Sequence, residues 1–205
     1  GSSLYYQCIG INRTEEDLKN YPQMAGSGLG DYIYKDIDEN GKIDAKDMLR
    51  SDLNTIPQIV FGLTANFQYK NFDLSILFQG QALARLHYTP LQAPLEGNIT
   101  KEMATQSWNL DRPDAKYGRI NSTNNRKEST MWLRNASFLR LKNVELGYNF
   151  SGKALKTVGV KGLRLYIGGY NLFTISGLKE VDPETNNTAA YPLMRVFNTG
   201  VKVTF

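Results

Sequence analysis

The sequence predicts an all-β fold: the C-terminal strands, about five or six, of a large antiparallel transmembrane β-barrel with long extracellular loops. Three observations predict it. Strand-length segments alternate, as where Phe197, Thr199, Val201, Val203 and Phe205 oppose Val196, Asn198, Gly200, Lys202 and Thr204. One apolar and one mostly polar face per strand suit a sheet lying between two media. The connections alternate long and short, as in barrels with short periplasmic turns and longer extracellular loops. No run approaches the roughly 18 apolar residues of a membrane helix, whereas alternating strands average out to the observed mean hydropathy of −0.41.

Taken in order, a weakly patterned strand is expected around Leu4–Ile11. Segment 58–70 alternates, with Ile59, Phe61, Leu63, Ala65, Phe67 and Tyr69 against Val60, Gly62, Thr64, Asn66 and Gln68. After a tight turn at Lys70-Asn71, segment 72–80 sets Phe72, Leu74, Ile76 and Phe78 against Asp73, Ser75, Leu77 and Gln79. Together they read as a hairpin of spanning length, about 9–11 residues per strand. Residues 81–131 are polar, with Pro90, Pro94 and Pro113, and read as a long loop. Segment 132–150 follows. Leu139 and Leu141 run out of phase with Val144, Leu146, Tyr148 and Phe150, which predicts a bulge near Lys142-Asn143. Residues 151–162 form a short connection with one helical turn around Lys153–Val158. Segment 163–173 is the next strand, 174–194 another polar loop, and 195–205 the last strand.

Five or six strands about 4.8 Å apart give a ribbon roughly 25–30 Å wide. That is fewer than the eight or so strands of the smallest single-chain barrels, so closure needs either several copies of the chain or, as the simplest account, a larger barrel of which these are the C-terminal strands. Gly1-Ser2-Ser3 shows no initiating Met, basic n-region or apolar h-region, and the chain reads as a piece of something longer. Residues 1–56 are expected to form an extracellular loop region and 57–205 the transmembrane strands.

Several function classes lose support. The net charge of +4 comes from 24 dispersed Lys and Arg against 20 Asp and Glu, and no clustered basic face offers itself to nucleic acid. Cys8 reads as a small apolar strand residue. His87, the sole histidine, lies in a long loop without G-x-S-x-G, zinc spacing or a phosphate loop elsewhere, so no enzyme is expected. Asp182 and Glu184 flank Pro183 and read as a turn. Trp108, Tyr117 and Trp132 lie near outward-facing loops, where they would stack on a ligand or belong to an interfacial aromatic belt.

One candidate metal site stands out. Asp36, Asp38, Asn40, Gly41, Lys42, Asp44 and Asp47 fit positions 1, 3, 5, 6, 7, 9 and 12 of an EF-hand loop. Alternate residues of a tight turn aim oxygens at one centre, Gly41 permits the turn, and Lys42 offers its backbone carbonyl. Position 12 is Asp rather than Glu, closer to dockerin-type loops. The expected cation is calcium in a structural role; a plain solvated turn is the alternative.

Three stretches carry a family resemblance: Gly30 to Asp36 running into Asp38 to Asp44; Ser137 to Tyr148; and Tyr170-Asn171-Leu172-Phe173-Thr174 with Asp182-Pro183-Glu184 and the terminal Phe205. Together they resemble the SusC-like (RagA-like) TonB-dependent transporters of Bacteroidetes-type outer membranes. The resemblance implies the last strands of a 22-stranded barrel and an N-terminal plug and TonB box elsewhere. It further implies coupling to the TonB complex, a SusD-like surface lipoprotein as lid, and a glycan or peptide substrate. Phe205 resembles the assembly signal of outer-membrane barrels, which would sit in outer-membrane lipid. The competing class is a calcium-stabilised β-rich surface binding or adhesion module without transport.

Overall fold

The structure is a computed structural model, which describes residues 3–52, 55–88, 99–150, 159–179, 181–185 and 191–205. The expected turn at Lys153–Val158 falls outside these residues. The chain divides into two compact units, one of residues 1–56 and 85–134, the other of 57–84 and 135–205.

The second unit is one antiparallel sheet. Its strands are β5 (Ile59–Tyr69), β6 (Phe72–Ala82), β9 (Phe138–Phe150), β10 (Gly162–Ser176) and β11 (Val196–Thr204). They lie in the order β11-β10-β9-β6-β5. The β5–β6 hairpin closes through Lys70-Asn71, with Tyr69 opposite Phe72 and Lys70 at a φ of 52°. The left-handed backbone at Lys70 lets so short a turn follow the strand twist.

Register makes the sheet two-faced. The row Ala65, Ile76, Val144, Gly169 and Phe197 crosses all five strands on one face, as does Phe67, Leu74, Leu146, Ile167 and Thr199. The opposite face carries rows such as Gln68, Asp73, Gly147, Tyr166 and Gly200. Phe61 and Gln68 therefore lie on opposite faces, as the two-residue period requires. The apolar face stays open: Leu63 is 62% exposed, Ile167 60% and Phe197 76%. Rings cluster at its short-turn end, where Phe72 and Tyr148 meet edge-on at 4.8 Å and Tyr148 and Phe150 at 4.6 Å.

The predicted bulge is present. On β9, Asn143 opposes Leu77 while Leu141 opposes Phe78, so Lys142 is the extra residue. On the β10 side Asn143 opposes Tyr170 and Leu141 opposes Phe173, and Asn171 has a φ of 54°. The extra residue returns Leu139 and Leu141 to the apolar face, which explains their shifted phase.

The first unit holds β1 (Leu4–Tyr6) paired with β4 (Met48–Arg50), and β2 (Cys8–Ile11) paired with β3 (Tyr32–Tyr34). It also holds α1 (Glu15–Asn20), β7 (Arg85–His87) and α2 (Lys101–Gln106), with β8 (Leu133–Asn135) pairing β7 at its boundary. The strand expected at Leu4–Ile11 is thus two short strands, neither in the five-stranded sheet. Residues 99–131, expected as irregular loop, fold into α2 and 3-10 turns, and with Trp132, expected to open a strand, contribute to an aromatic core. In that core Tyr32 packs edge-on to Trp132 at 5.7 Å, and the Tyr34 hydroxyl donates to the Asn124 carbonyl at 2.7 Å. The buried Asp31 carboxylate takes a bidentate pair from Arg119 at 2.7 and 2.8 Å.

Candidate functional site

The polar face carries two ionic clusters built from sequence-distant strands. Near the short-turn end, Arg164 on β10 reaches across β9 to Asp73 on β6 and also donates to Glu145 at 2.8 Å. Asn149 donates to the same Asp73 carboxylate at 2.6 Å. The reach depends on Gly147: a Cβ there would collide with both the Arg164 guanidinium and the Asp73 carboxylate. Four side chains from three strands therefore form a satisfied polar network on one wall.

Near the other end, β9 holds down the connection between β10 and β11. The Arg140 guanidinium is 3% exposed and donates to both Asp182 oxygens at 2.7 and 2.8 Å, to Glu184 at 2.7 Å and to Thr174 Oγ1 at 2.8 Å. Lys142, the bulge residue, adds a 2.7 Å bond to Glu184. Burial pushes the Asp182 carboxyl up, but the Glu184 N–H and the Arg140 guanidinium outweigh it and hold the group below its ordinary value. Asp182-Pro183-Glu184 is a turn, as expected, with Thr185 N–H bonded to the Asp182 carbonyl at 3.1 Å. Beside it lies a cavity of about 390 Å³ lined by Arg140, Asn171, Thr174, Asp182 and Arg195.

In the acidic loop, carboxylate oxygens of Asp36, Asp38 and Asp47 lie within 4.8 Å of one another. Gly41, at a φ of 79°, donates its N–H to Asp36 Oδ2 at 2.7 Å, while Asp36 Oδ1 is buried without a partner. Asn40 accepts from Lys42 N–H at 2.9 Å and donates to Asp38 at 2.9 Å. Asp47 is fully buried and accepts from the N–H groups of Ile37 and Asp44 at 2.7 and 2.8 Å. Burial raises its pKa, but these backbone donors outweigh that and leave the carboxyl below its usual range. Asp44 departs from the expected set: its carboxylate caps the next turn through Lys46 N–H at 2.8 Å. Ile43, within the same loop, is buried.

The three aromatic candidates separate. Tyr117 is 0% exposed and donates its hydroxyl to Glu102 at 2.8 Å; Trp132 is 2% exposed in the tyrosine core. Rings closed off in this way offer no face to a ligand, which corrects the expectation for both. Trp108 is half-buried, packed flat on Gly30 where any Cβ would strike the indole, and lines an open cavity of about 560 Å³ with Asn109, Asp111 and Asn121. Phe205 follows Val203 on the apolar face and is 77% exposed. Cys8 is half-buried, its thiol pushed up to about 11 by burial, in keeping with an inert strand residue. His87 lies 3.3 Å from Glu128 and edge-on to Tyr5.

The patterning of the strands did not reveal the Arg164–Asp73 or Arg140–Asp182 partnerships. Their one sequence signal is a charged residue within an otherwise alternating strand, on its polar phase.

Comparison with known proteins is consistent with this geometry. The chain is 28% identical to TonB-dependent receptor P3 of Formosa agariphila over 230 residues, covering 100% of this chain and 22% of the relative. It is also 28% identical to the TonB-dependent receptor SusC of Bacteroides thetaiotaomicron over 193 residues, 85% of this chain and 19% of that protein. The chain thus spans about a fifth of the curated relatives it matches. Among solved structures, the RagAB peptide transporter superposes with a TM-score of 0.75 at 22% identity, over 100% of this chain and 23% of that one. No protein-family model matches the sequence.

Proposed function

We propose that this chain, a SusC-like segment of a bacterial outer-membrane β-barrel, forms part of the wall of a TonB-dependent importer. The observation that carries this is the sheet itself: five strands in register with one open apolar face and one ion-paired polar face. An independent soluble module would cover the apolar face. A barrel turns it to lipid and keeps the polar face to the lumen. In this reading the Arg164 and Arg140 clusters line the lumen, and the long connections lie outside the cell.

The parent protein would draw energy from the TonB complex and work with a SusD-like lipoprotein. It would import a glycan or a peptide: SusC is named a TonB-dependent receptor, and RagAB a peptide transporter. The 36–47 loop would hold calcium through Asp36, Asp38 and Asp47, with the Asn40 side chain and Lys42 carbonyl as neighbouring oxygens and Asp44 further out. Its support is the spacing, the convergence of three carboxylates and the orphaned Asp36 oxygen. A bound cation would relieve their mutual repulsion. Its role would be structural, with no part in chemistry.

The test is uptake. Cells lacking the parent gene should lose import of one oligosaccharide or peptide class and regain it on complementation. Loss of import on dissipating the proton gradient should accompany it. Undiminished uptake of both classes in the deletion strain, or a parent protein that fractionates away from the outer membrane, would refute the proposal.

A further inference from the structure

Trp108 alone of the three aromatic candidates is not enclosed, and the cavity of about 560 Å³ beside it lies within the first unit. Its volume falls in the range of small-ligand sites, about 300–1,000 Å³. Backbone bonds fix its frame. Trp108 N–H donates to the Tyr117 carbonyl at 2.8 Å, Tyr117 N–H to the Gln106 carbonyl at 3.0 Å, and Arg112 N–H to the Asn109 carbonyl at 3.0 Å. Gly30 covers one face of the indole and lies outside the cavity lining, so the ring meets the cavity by its remaining surface. Around the ring stand planar polar groups with bonding capacity to spare. Arg119 spends Nε and Nη2 on Asp31 and keeps Nη1, while Arg112 spends Nη1 on the Ser107 carbonyl at 3.0 Å. Asn109, Asp111 and Asn121 line the cavity as exposed residues whose side chains have no hydrogen-bond partner among the described residues. Ser107 is 3% exposed, and its hydroxyl is buried with no partner. The two guanidiniums are balanced by Asp31 and Asp111.

A sugar ring carries an apolar C–H face, which stacks on an indole, and a rim of hydroxyls, each able to donate and to accept. Amides, a carboxylate and guanidinium N–H groups satisfy such a rim from fixed positions. The balance of charge offers little to a strongly charged ligand. A peptide is commonly held through its backbone, but the N–H groups of Trp108, Arg112 and Tyr117 already bond within the fold. We propose that this cavity is a binding subsite for one ring of a neutral oligosaccharide, with Trp108 as the stacking platform and Asn109, Asp111, Arg112 and Asn121 as hydroxyl partners. The proposal rests on the importer reading and, within it, selects a glycan over a peptide. In that reading the segment belongs to a long connection outside the cell, where an incoming ligand arrives.

The experiment is titration calorimetry on the full-length parent protein in detergent. The probes are maltohexaose, cellohexaose, xylohexaose and mannohexaose, with hexa-alanine as the peptide. At least one hexasaccharide should bind to wild type. Trp108→Ala should weaken that binding about tenfold, the worth of one aromatic contact. Asn121→Ala, at an exposed position, should weaken it about fivefold and serves as the second variant should Trp108→Ala assemble poorly. Glu15→Gln, on the exposed side of α1, should leave it unchanged. Binding of none of the hexasaccharides, or equal binding by wild type and both variants, would overturn the subsite and leave the importer reading standing. Hexa-alanine binding that Trp108→Ala weakens would overturn the glycan in favour of a peptide. Variant-sensitive binding beside undiminished uptake of the same hexasaccharide by cells lacking the parent gene would support the subsite and refute the importer reading.

Discussion

Replacing Arg140 by Gln should release the connection between β10 and β11 without unfolding the sheet. The guanidinium is 3% and the Asp182 carboxylate 7% exposed, so the pair counts as buried. Removing one member of a buried pair costs about 3–5 kcal/mol, because the other charge is left unpaired. Here the bereaved groups keep some partners. Asp182 still accepts from the N–H groups of Glu184 and Leu193 at 3.0 and 3.3 Å, and Glu184 keeps Lys142 at 2.7 Å. The loss should therefore fall at the lower end, about 3 kcal/mol, or roughly a hundredfold in the opening equilibrium of the connection. Amide hydrogen exchange on the full-length protein in vesicles reads this directly at Glu184 and Leu193. The double variant Arg140→Gln, Asp182→Asn should lose less than Arg140→Gln alone, since it strands one charge fewer. The pH dependence has a definite sign. Asp182 has a lowered pKa in the folded state, so its contribution is present above the unfolded value of about 3.9 and is lost as pH falls through the folded value. Wild-type protection should thus be intact at neutral pH and fade below about pH 4, whereas Arg140→Gln should show a smaller acid-side loss. Unchanged exchange in Arg140→Gln, or a double variant worse than the single, would refute the reasoning.

Arg in place of Leu63 or Ile167 should cost roughly 2–4 kcal/mol of barrel stability in urea titrations, against little for Asn66→Arg on the polar face; equal costs on both faces would contradict the register argument. Asp36→Asn should abolish calcium binding to the 36–47 loop in titration calorimetry, and chelator should speed proteolysis within the loop in wild type; a chelator-indifferent digest would leave an ordinary turn. Phe205→Asp should lower the outer-membrane level of the parent protein while import per assembled molecule stays unchanged, as quantitative blots beside uptake assays will tell; normal levels would count against an assembly signal. Gly147→Val should disrupt the Arg164–Asp73 pair, since a Cβ meets both groups, and lower the midpoint of urea unfolding; an unshifted midpoint would show that Arg164 finds another path.

Much of the sheet was legible because a period of two leaves no freedom: once Phe61 faces one way, Gln68 must face the other. The bulge at Lys142 could be read from Leu139 and Leu141 changing phase, and the hairpin from Lys70-Asn71 between two alternating runs. What could not be read was pairing over distance. Arg140 meets Asp182 across 42 residues of chain, and no local pattern signals that contact. The same limit hid the grouping of 85–134 with 1–56, whose tyrosines follow no period. Tyr117 and Trp132 looked like loop aromatics because sequence does not separate a belt residue from one enclosed by its own loop. In the acidic loop the spacing was informative, yet Asp44 serves the backbone of the following turn, a competition open to any Asp beside a helical turn.

The two-faced wall is tested most directly by single-cysteine labelling of the full-length protein in intact outer membranes. Cysteines at Leu63, Leu146, Ile167 and Val201 should resist a water-soluble maleimide, and a spin label attached there should report contact with oxygen dissolved in lipid. Cysteines at Asn66, Ser75, Asn198 and Lys202 should react with the maleimide or report contact with a water-soluble relaxation agent. The predicted result is strict alternation between the two sets along every strand. Equal water exposure of both sets would contradict a lipid-facing barrel wall and return the chain to the class of soluble surface modules.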